Sequence, residues 1–378
     1  MGTDYAKLKE KYEEFTYPMV SVTVNGNVFS ENTAHLVLAD MQIDLSTGLE
    51  ASIARFSIYN VYDQEDKQYL FAKCKQYLLL GSSISIAVGY ANQLTTVFVG
   101  FISQVRFLHQ QGDMHHVEVS AMDVKGMMMS NSFARQMGAK NYADAVREIF
   151  RKPIYQKMQA DGIYTELKIK DTPDRSENEQ LLSSSIEMVS ESDYEFIIKA
   201  AKRFHYEFYV DAGVVYFRKG KDTQKDNILE LGMDKGIQYY DISYDITGLV
   251  RTVEVRGMDT ARAEVVSAKA NVSNKISTGN KAKGLINQTS RVVVDANAIT
   301  KELAQNRADS IMEDISYRFG TLQCTCIGLP EIKPGQFIKL TGFDSPCDNI
   351  FYVEHANHTI SDAYGYETYI TAVAAALS

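Results

Sequence analysis

The sequence predicts a mainly β protein with an α+β insertion, in which two related small β-barrel domains flank a unit made of a helix and a hairpin. Stretches of alternating apolar residues, bounded by turn signals, recur in both end regions of the 378-residue chain. The chain has 23 tyrosines, 17 phenylalanines, six prolines and no tryptophan, a composition suited to strands with aromatic cross-strand pairs. Between these regions the apolar spacing changes to the three and four residues typical of a helix.

This change of pattern divides the chain into four parts. They are an N-terminal arm (residues 1–17), a first β-barrel domain (18–130), an α+β insertion (131–235) and a second β-barrel domain (236–378). The arm begins MGTDYAKLKEKYEEF, a charged amphipathic stretch that predicts either a helix or a mobile arm.

The first domain opens with a hairpin. Val20, Val22 and Val24 alternate before the turn signal Asn25-Gly26-Asn27. Residues 62–77 are polar with scattered aromatic residues and predict a helix across one end of the sheet.

Residues 192–217 predict a helix that leads directly into a second hairpin. Ser192 and Glu195 have the spacing of a capping box, and alternation on both sides of residues 211–213 indicates a three-residue turn with a positive φ at Gly213. The inward face of the helix consists of Phe196, Ile197, Ala200, Ala201 and Phe204. We therefore expect Phe204→Asp to prevent folding, because a charge in an apolar core is costly.

Three further segments complete the pattern. Residues 141–152 and 300–318 predict helices from their apolar spacing. Residues 258–290 are polar and small, which predicts a long loop or extended hairpin arm, flexible in the isolated subunit and the first site of limited proteolysis.

Two segments of the chain resemble each other. Residues 81–90 share a pattern of glycines and alternating apolar residues with residues 335–343, and residues 117–121 are similar to residues 369–372. The repeat predicts two related sheet domains, and closure into barrels would hide their edges.

Several motifs in these segments resemble the hub proteins of contractile injection machines. The family includes phage late-control D proteins, the T4-type tail hub and the hub half of the type VI secretion spike protein. The positions that carry the resemblance are Phe98, Gly100, Ile102, Asp123, Ser192, Asp193, Phe196, Gly328, Pro330, Pro334, Gly335, Gly342, His358, Gly365, Tyr366 and Thr368.

The resemblance implies a structural protein and not an enzyme. It implies a baseplate hub whose two barrels are tail-tube-like, so that a homotrimer adapts the hexameric inner tube to a trimeric central spike and nucleates tube assembly. The expected partners are other copies of the chain, the inner tail tube protein, a separate trimeric spike protein and other baseplate proteins. The spike is expected to be separate because spike-bearing relatives continue beyond the position where this sequence ends. Synthesis in a bacterial cytoplasm and assembly into a phage tail, tailocin or extracellular injection particle are implied as well.

Composition argues against other classes of function. A net charge of -9 opposes stable nucleic-acid binding. A run of eighteen apolar residues is lacking, which predicts no membrane span, and the charged N-terminus is unlike a signal peptide. The four cysteines are expected to be reduced thiols. Phosphate-binding, dinucleotide-binding, nucleophile-elbow and zinc-protease motifs are missing, so no cofactor or catalytic residue is predicted.

Weaker candidate sites have simpler interpretations. His115 and His116 are predicted to be a surface pair, and Cys324 and Cys326 are predicted to be buried apolar residues on one face of a strand, not metal ligands. The methionines at residues 127–129 are expected to fill a core.

Two alternative functions remain from the sequence. One is a tail-associated peptidoglycan hydrolase, for which Glu187, Glu191 and Glu195 would have to supply an acid–base pair. The other is an effector-carrying spike component of a type VI-like system.

Overall fold

The computed structural model describes residues 5–29, 36–48, 50–174, 186–221, 229–259, 262–272 and 279–377. The N-terminal part contains nine strands, three short helices and two 3-10 turns among these residues. The strands are β1 (Pro18–Val24), β2 (Asn27–Val28), β3 (Val37–Ser46), β4 (Ile53–Tyr59), β5 (Tyr62–Asp63), β6 (Gln68–Tyr69), β7 (Ser83–Tyr90), β8 (Gln93–Leu108) and β9 (His116–Met122). The helices are α1 (Tyr5–Lys11), α2 (Phe71–Cys74) and α3 (Lys125–Met128), and the 3-10 turns are Glu13–Phe15 and Lys75–Tyr77.

The insertion combines helices with short strands. Its elements are β10 (Phe133–Gln136), α4 (Tyr142–Phe150), α5 (Pro153–Ala160), β11 (Glu166–Ile169), β12 (Glu187–Glu191), α6 (Asp193–Phe204), β13 (Tyr206–Asp211) and β14 (Val214–Lys219). The predicted capping box of α6 is confirmed, since the Ser192 hydroxyl accepts from the Glu195 N–H and the Glu195 carboxylate accepts from the Ser192 N–H. Phe196 on this helix is fully buried in the core of the insertion.

The C-terminal part returns to strands. Its elements are β15 (Leu229–Leu231), β16 (Ile237–Tyr244), β17 (Thr252–Asp259), β18 (Glu264–Asn271), α7 (Gly279–Ile286), β19 (Ser290–Val294), α8 (Lys301–Ser316), β20 (Gly320–Ile327), β21 (Phe337–Leu340), β22 (Ile350–Ser361) and β23 (Gly365–Ala374).

Strands from both ends of the chain form one sheet. The described strands follow the order β16-β20-β23-β22-β3-β4-β9-β8-β7-β1-β2, with β21 also paired to β22 and β15 paired to β21. The predicted mainly β fold with an α+β insertion is confirmed. The described pairings form a continuous sheet and include no pairing that closes either predicted barrel. One hydrophobic core lies against both halves, from Leu8 in the N-terminal helix to Ala374 in the last strand.

The two halves of this sheet have the same strand order. In the first half it is β1-β7-β8-β9-β4-β3, and in the second it is β15-β21-β22-β23-β20-β16. When the strands of each half are numbered along the chain, strands with the same number occupy the same place in the two halves. For example, β16 is the counterpart of β3, and β22 is the counterpart of β8. The halves differ at one end, where β1 is antiparallel to β7 but β15 is parallel to β21. The internal repeat predicted from sequence is therefore a repeat of topology.

The structure decides between the two alternatives predicted for the N-terminal segment. It is a docked helix and not a mobile arm, because Leu8, Tyr12 and Phe15 are buried in the main core. Two other local predictions were wrong. Residues 62–77 form the small β5–β6 hairpin and the short helix α2 instead of one helix. The turn between β13 and β14 has two residues, since Asp211 pairs with Val214 and both intervening residues have positive φ.

Of the two alternatives predicted for residues 258–290, the long loop is wrong over the described part, and the extended hairpin is borne out by the antiparallel pairing of β17 with β18. This range contains the end of β17, β18 and α7, and β17 lies between β18 and β19 in a separate sheet. Ala268 and Ala270 on β18 are buried under α8, where Ala304 and Ala308 face the sheet. These small side chains allow close helix-to-sheet packing, so a segment of low hydrophobicity still forms a core.

Phe204 lies at the margin of the insertion core and not inside it. The side chain is half-buried, and its ring contacts Tyr142 and Tyr206 at centroid distances of 5.6 and 6.2 Å. The other four residues of the predicted inward face, from Phe196 to Ala201, are buried. The expectation that Phe204→Asp prevents folding therefore lacks its structural basis.

Candidate functional site

The largest group of motif residues converges on one buried polar cluster between the two halves of the sheet. Nδ1 of His358 lies 3.0 Å from the Tyr366 hydroxyl and 3.1 Å from the Thr368 hydroxyl. The Thr368 hydroxyl also accepts from the backbone N–H of Leu329 at 3.1 Å. His358 and Thr368 are fully buried. Burial lowers the pKa of His358 to about 4, so this imidazole is neutral near pH 7.

Gly328 is required in this cluster by close packing. A Cβ on residue 328 would lie 2.1 Å from Cγ of Tyr366 and 2.3 Å from both Cδ atoms of that ring. The Gly328 N–H donates to the Tyr366 carbonyl at 2.8 Å, which holds the two segments together. The carbonyl of Gly328 accepts from the Tyr90 hydroxyl at 2.9 Å. The cluster thus links the end of β7 to the C-terminal half of the sheet.

The end of the N-terminal helix α1 and the residue after it close the cluster from one side. Tyr12 donates to the Glu331 carboxylate at 2.7 Å, and Lys11 donates to the same oxygen at 2.9 Å. The rings of Tyr12 and Tyr90 lie 5.5 Å apart, and those of Tyr90 and Tyr366 lie 5.6 Å apart. The arm, the first half and the second half are therefore fixed to one another by a shared set of aromatic and hydrogen-bonded contacts.

A second group of motif residues joins the first half of the sheet to the insertion. The Asp123 carboxylate accepts from the N–H groups of Ser52 and Lys125 at 2.9 and 2.8 Å. The buried Lys125 ammonium lies 3.9 Å from that carboxylate and donates to the carbonyls of Glu50 and Phe208. Burial lowers the pKa of Lys125.

The strand motif before this ion pair is also packed closely. Phe98 and Ile102 are buried in the main core. A Cβ on Gly100 would lie 2.1 Å from the carbonyl oxygen of Met122, so only glycine fits between β8 and β9 at this position.

Asp193 fixes the start of α6 within the insertion. One carboxylate oxygen accepts from the Lys152 ammonium at 2.5 Å, and the other accepts from the Tyr155 hydroxyl at 2.8 Å. Burial of Tyr155 and its bond to Asp193 raise the pKa of this phenol. Ser192 and Asp193 therefore both fix the start of α6. Ser192 caps the helix, and Asp193, its first residue, binds Lys152 and Tyr155.

The remaining motif residues lie in loops of the second half. Pro330 and Pro334 are buried in the loop before β21. Gly335, Gly342 and Gly365 all have positive φ, of 84, 86 and 70°, which explains glycine at these turns. A Cβ on Gly335 would also lie 2.5 Å from the Tyr209 hydroxyl of the insertion.

One contact set beside Gly335 was missed by sequence reasoning. The Arg218 guanidinium donates to the Gly335 carbonyl at 2.9 Å and lies over the rings of Tyr209 and Tyr216. The Tyr352 hydroxyl donates to the Glu207 carboxylate at 2.6 Å. Burial raises the pKa of Glu207 to about 7. These residues carry no motif spacing, because the two strands that meet here are distant in sequence.

The carboxylates considered for a hydrolase have structural contacts. Glu195 caps α6, and Glu191 accepts from Lys199 at 2.6 Å and from the Val189 N–H at 3.3 Å. Glu187 lies on β12, which pairs with β10. They form part of the framework of the insertion.

The sequence candidates for metal binding lie in ordinary packing environments. Cys324 and Cys326 are buried in the main core. His115 stacks on Tyr62 and on His109, each at 3.8 Å, and His116 stacks on Tyr59. Of the described residues, no three His, Cys, Asp or Glu side chains form a group that could hold a metal ion. Met128 is buried and Met127 packs on the insertion core, but Met129 is exposed.

The motif residues thus hold turns, strands and junctions of the fold in place, and the candidate functional surface is the exterior of the sheet. Within the described ranges, no helix is long and apolar enough to cross a membrane. Exposed aromatic residues include Tyr239 and Tyr240 on β16 and Phe107 on β8.

The chain is similar in sequence to a described protein family and similar in fold to solved phage tail proteins. A family model described as the Alg8 N-terminal domain matches residues 14–362. No curated protein sequence matches the chain significantly.

Solved structures share the fold over nearly the whole chain. A tail protein from Neisseria meningitidis MC58 is 15% identical with a TM-score of 0.65, covering 95% of this chain and 97% of its own. A 43 kDa tail protein of prophage MuSo2 from Shewanella oneidensis is 12% identical with a TM-score of 0.62, covering 94% of this chain and 98% of its own.

A third similar structure is the c3393 protein of E. coli, described as a type VI secretion component that resembles the T4 phage tail proteins gp27 and gp5. It is 12% identical with a TM-score of 0.57 and covers 93% of this chain and 76% of its own. The predicted resemblance is confirmed as a likeness of fold to tail and type VI proteins.

Proposed function

This chain belongs to the family of the Alg8 N-terminal domain, and we propose that it is the structural hub of a contractile tail or injection-system baseplate. As a homotrimer it would adapt a hexameric inner tube to a separate trimeric spike and nucleate tube assembly. Other baseplate proteins would contact the insertion, and the assembled particle would be its location. The function is mechanical, by shape and symmetry, and needs no catalytic residue or cofactor.

The observation that carries this proposal is the repeated strand order. One chain contains two six-stranded units of the same order. Three chains around one axis would therefore present six similar surfaces, which matches the number of subunits in a hexameric ring. Cyclic symmetry of this kind uses a heterologous interface, in which two different faces of one chain are complementary.

The two units are similar in hydrogen bonding as well. The N–H of Gly81 donates to the Ile102 carbonyl at 2.8 Å, and the N–H of Gly335 donates to the Val353 carbonyl at 2.9 Å. The pairing of β8 with β9 has its bulge just after Ile102, and the pairing of β22 with β23 has its bulge just after Val353. These details support equivalent roles for the two units in a ring.

The buried clusters support the proposal in a second way. An adaptor must hold its two units at a fixed angle, since six positions are equivalent only if each chain is rigid. His358, Tyr366 and Tyr90 join the two units, and Arg218 and Glu207 join the insertion to the second unit. A buried hydrogen-bonded network is a suitable device for such rigidity.

The proposal is tested by the symmetry of the assembled protein. We expect electron microscopy of particle-derived or spike-bound complexes to show three copies, with six β units at equal radius at the tube-facing end. A stable twofold dimer, or units that alternate between two radii, would overturn the tube-adaptor function. Clearing of peptidoglycan by the pure protein, lost in Glu187→Gln or Glu191→Gln, would favour the hydrolase instead.

A further inference from the structure

The strand β16 lies at an open edge of the main sheet. It is eight residues long and pairs with β20 along one side, and among the described residues no strand pairs with its other side. Tyr239 and Tyr240 on this strand are 53 and 38% exposed. A long edge strand is a site for pairing with another chain, because its outward N–H and C=O groups have no strand partner.

A second open edge lies along the far part of β8. The pairing of β7 with β8 ends at Phe101, although β8 continues to Leu108. Over that extension β8 pairs with β9 on one side, and its other side has no strand partner within the described ranges. Phe107 lies there and is 45% exposed.

The chain itself shows how two such edges join. Within one chain, β3 pairs antiparallel with residues 355–360 of β22, next to Tyr352, where the pairing of β22 with β21 stops. By the repeated strand order, β16 is the counterpart of β3 and β8 is the counterpart of β22. The first unit therefore uses its β3 to join the second unit, while β16 and β8 retain the equivalent edges without partners among the described residues.

We propose that β16 of one copy pairs antiparallel with residues 104–108 of β8 in the neighbouring copy, in the register of the internal β3–β22 junction. This inference rests on the proposed homotrimer and names its interface. The occupant of each edge is a second copy of the chain, because the internal junction already shows the same two counterpart strands paired.

The register follows from the two sets of pairings. The bulges align Gln104 with His355, so Phe107 is the counterpart of His358. Ile43 on β3 pairs with Ala54 on β4, and Ile242 on β16 pairs with Leu322 on β20. Ala54 and Leu322 are equivalent, because they pair with Ala121 on β9 and Ala372 on β23. Ile242 is therefore the counterpart of Ile43. Because His358 pairs with Ile43 inside the chain, Phe107 is opposite Ile242 between chains.

Side-chain chemistry matches this register on both faces. On the apolar face, Phe107 would lie opposite Ile242, and Val105 opposite Tyr244. Within one chain, Ile242, Val105 and Tyr244 already pack against the main core. The junction would cover the exposed ring of Phe107 and extend that core from one copy into the next.

The opposite face of the junction is polar and has complementary charges. Arg106 would face Ser243, with Asp241 and Asp245 as its diagonal neighbours, about 7–8 Å away and within reach of a long side chain. Arg106 already contacts Glu118 on its own sheet at 3.1 Å. Three copies joined in this way would close the ring, since residues 241–244 of each β16 would pair with residues 105–108 of the β8 strand in the next copy.

Engineered disulfides test the register directly. The double variants Phe107→Cys with Ile242→Cys and Arg106→Cys with Ser243→Cys place cysteines at two adjacent opposite pairs. Adjacent pairs alternate between the two spacings of an antiparallel ladder, so one of the two variants has the closer geometry. Cys347, which unlike the other three cysteines is not buried, is replaced by serine in all variants. The control Phe107→Cys with Ser243→Cys is shifted by one residue, so its cysteines point to opposite faces.

Under mild oxidation of the full-length chain at high concentration, we expect at least one matched pair to give covalent species up to a trimer, and the control to give none. Mixing the Phe107→Cys and Ile242→Cys single variants should give a covalent dimer, which shows that the bond joins two chains. Equal cross-linking of the control, or none with either matched pair, would overturn the strand pairing. A protein that is trimeric by mass but fails to cross-link would contradict this inference and leave the proposed trimer intact.

A ladder that continues beyond three chains would support the strand pairing and contradict the closed trimer of the proposed function. Charge exchange gives an independent measurement. Arg106→Asp should reduce the yield of the Phe107–Ile242 cross-link several-fold, and adding Asp241→Arg should restore it. Reduction without restoration would remove the proposed contact between Arg106 and Asp241.

Discussion

Replacing Gly328 by alanine introduces one methyl group at the most crowded point of the junction between the two sheet units. The added carbon would lie 2.1 Å from Cγ and 2.3 Å from both Cδ atoms of Tyr366, well inside contact distance. The Tyr366 ring cannot easily move, because its hydroxyl is hydrogen-bonded to His358 at 3.0 Å. The centroid of the ring also lies 5.6 Å from the centroid of the Tyr90 ring. We expect Gly328→Ala to displace the Tyr366 ring and weaken the whole cluster.

The cost has two components. Overpacking a filled core costs about 1–3 kcal/mol, and loss of the Tyr366–His358 hydrogen bond costs about 1 kcal/mol more. We therefore expect the free energy of unfolding to fall by about 2–4 kcal/mol. With an unfolding entropy of about 2 cal/mol/K per residue, the melting temperature of a protein of this size should fall by roughly 3–5 °C.

Thermal and urea unfolding of the purified chain, followed by circular dichroism, would measure the effect. Gly284→Ala is the matched control, because a Cβ there meets nothing within 4 Å and the residue lies in α7, where alanine should stabilise by up to about 1 kcal/mol. In the double variant Gly328→Ala with Tyr366→Ala, the ring that the added methyl group would overlap is absent. The double variant should therefore lose less free energy of unfolding than the sum of the losses of the two single variants. A loss below about 0.5 kcal/mol, or additivity within that margin, would refute the argument from close packing.

Three further changes test the buried groups. The pKa of His358 is about 4 in the folded chain and near 6.5 when unfolded, so the unfolded chain binds more protons between these values. The free energy of unfolding should thus fall by about 3 kcal/mol from pH 6.5 to 4, and urea titrations across this range should show that His358→Gln lacks this part of the loss. Lys125→Met leaves the Asp123 carboxylate buried without its cation and should cost about 3 kcal/mol in urea unfolding, partly recovered by adding Asp123→Asn. Phe204→Asp should fold with native circular dichroism and lose only about 1–2 kcal/mol, since its ring is half-buried; insoluble protein would contradict this expectation.

Local patterns in the sequence were sufficient to predict many elements. The cap of α6 and the Asn25-Gly26 turn follow from interactions between residues within four positions of each other. The repeat between residues 81–90 and 335–343 also emerged from the sequence, because equivalent strands need the same alternation and the same glycine turns. The motif residues themselves were recognised by resemblance, and their physical roles became clear only with their neighbours in place.

The tertiary structure decided how these elements combine. The pairing of β3 with β22 joins residues about 310 positions apart and turns two predicted barrel domains into one sheet. The contact of Tyr352 with Glu207 spans 145 positions, and the burial of Ala268 and Ala270 requires α8 above them. A strand pattern specifies which face is apolar but not which edge will meet it, because edge pairing uses backbone groups that every residue carries. Local sequence therefore determined the elements of this protein, whereas the free edges that we assign to its neighbours follow from the assembled sheet.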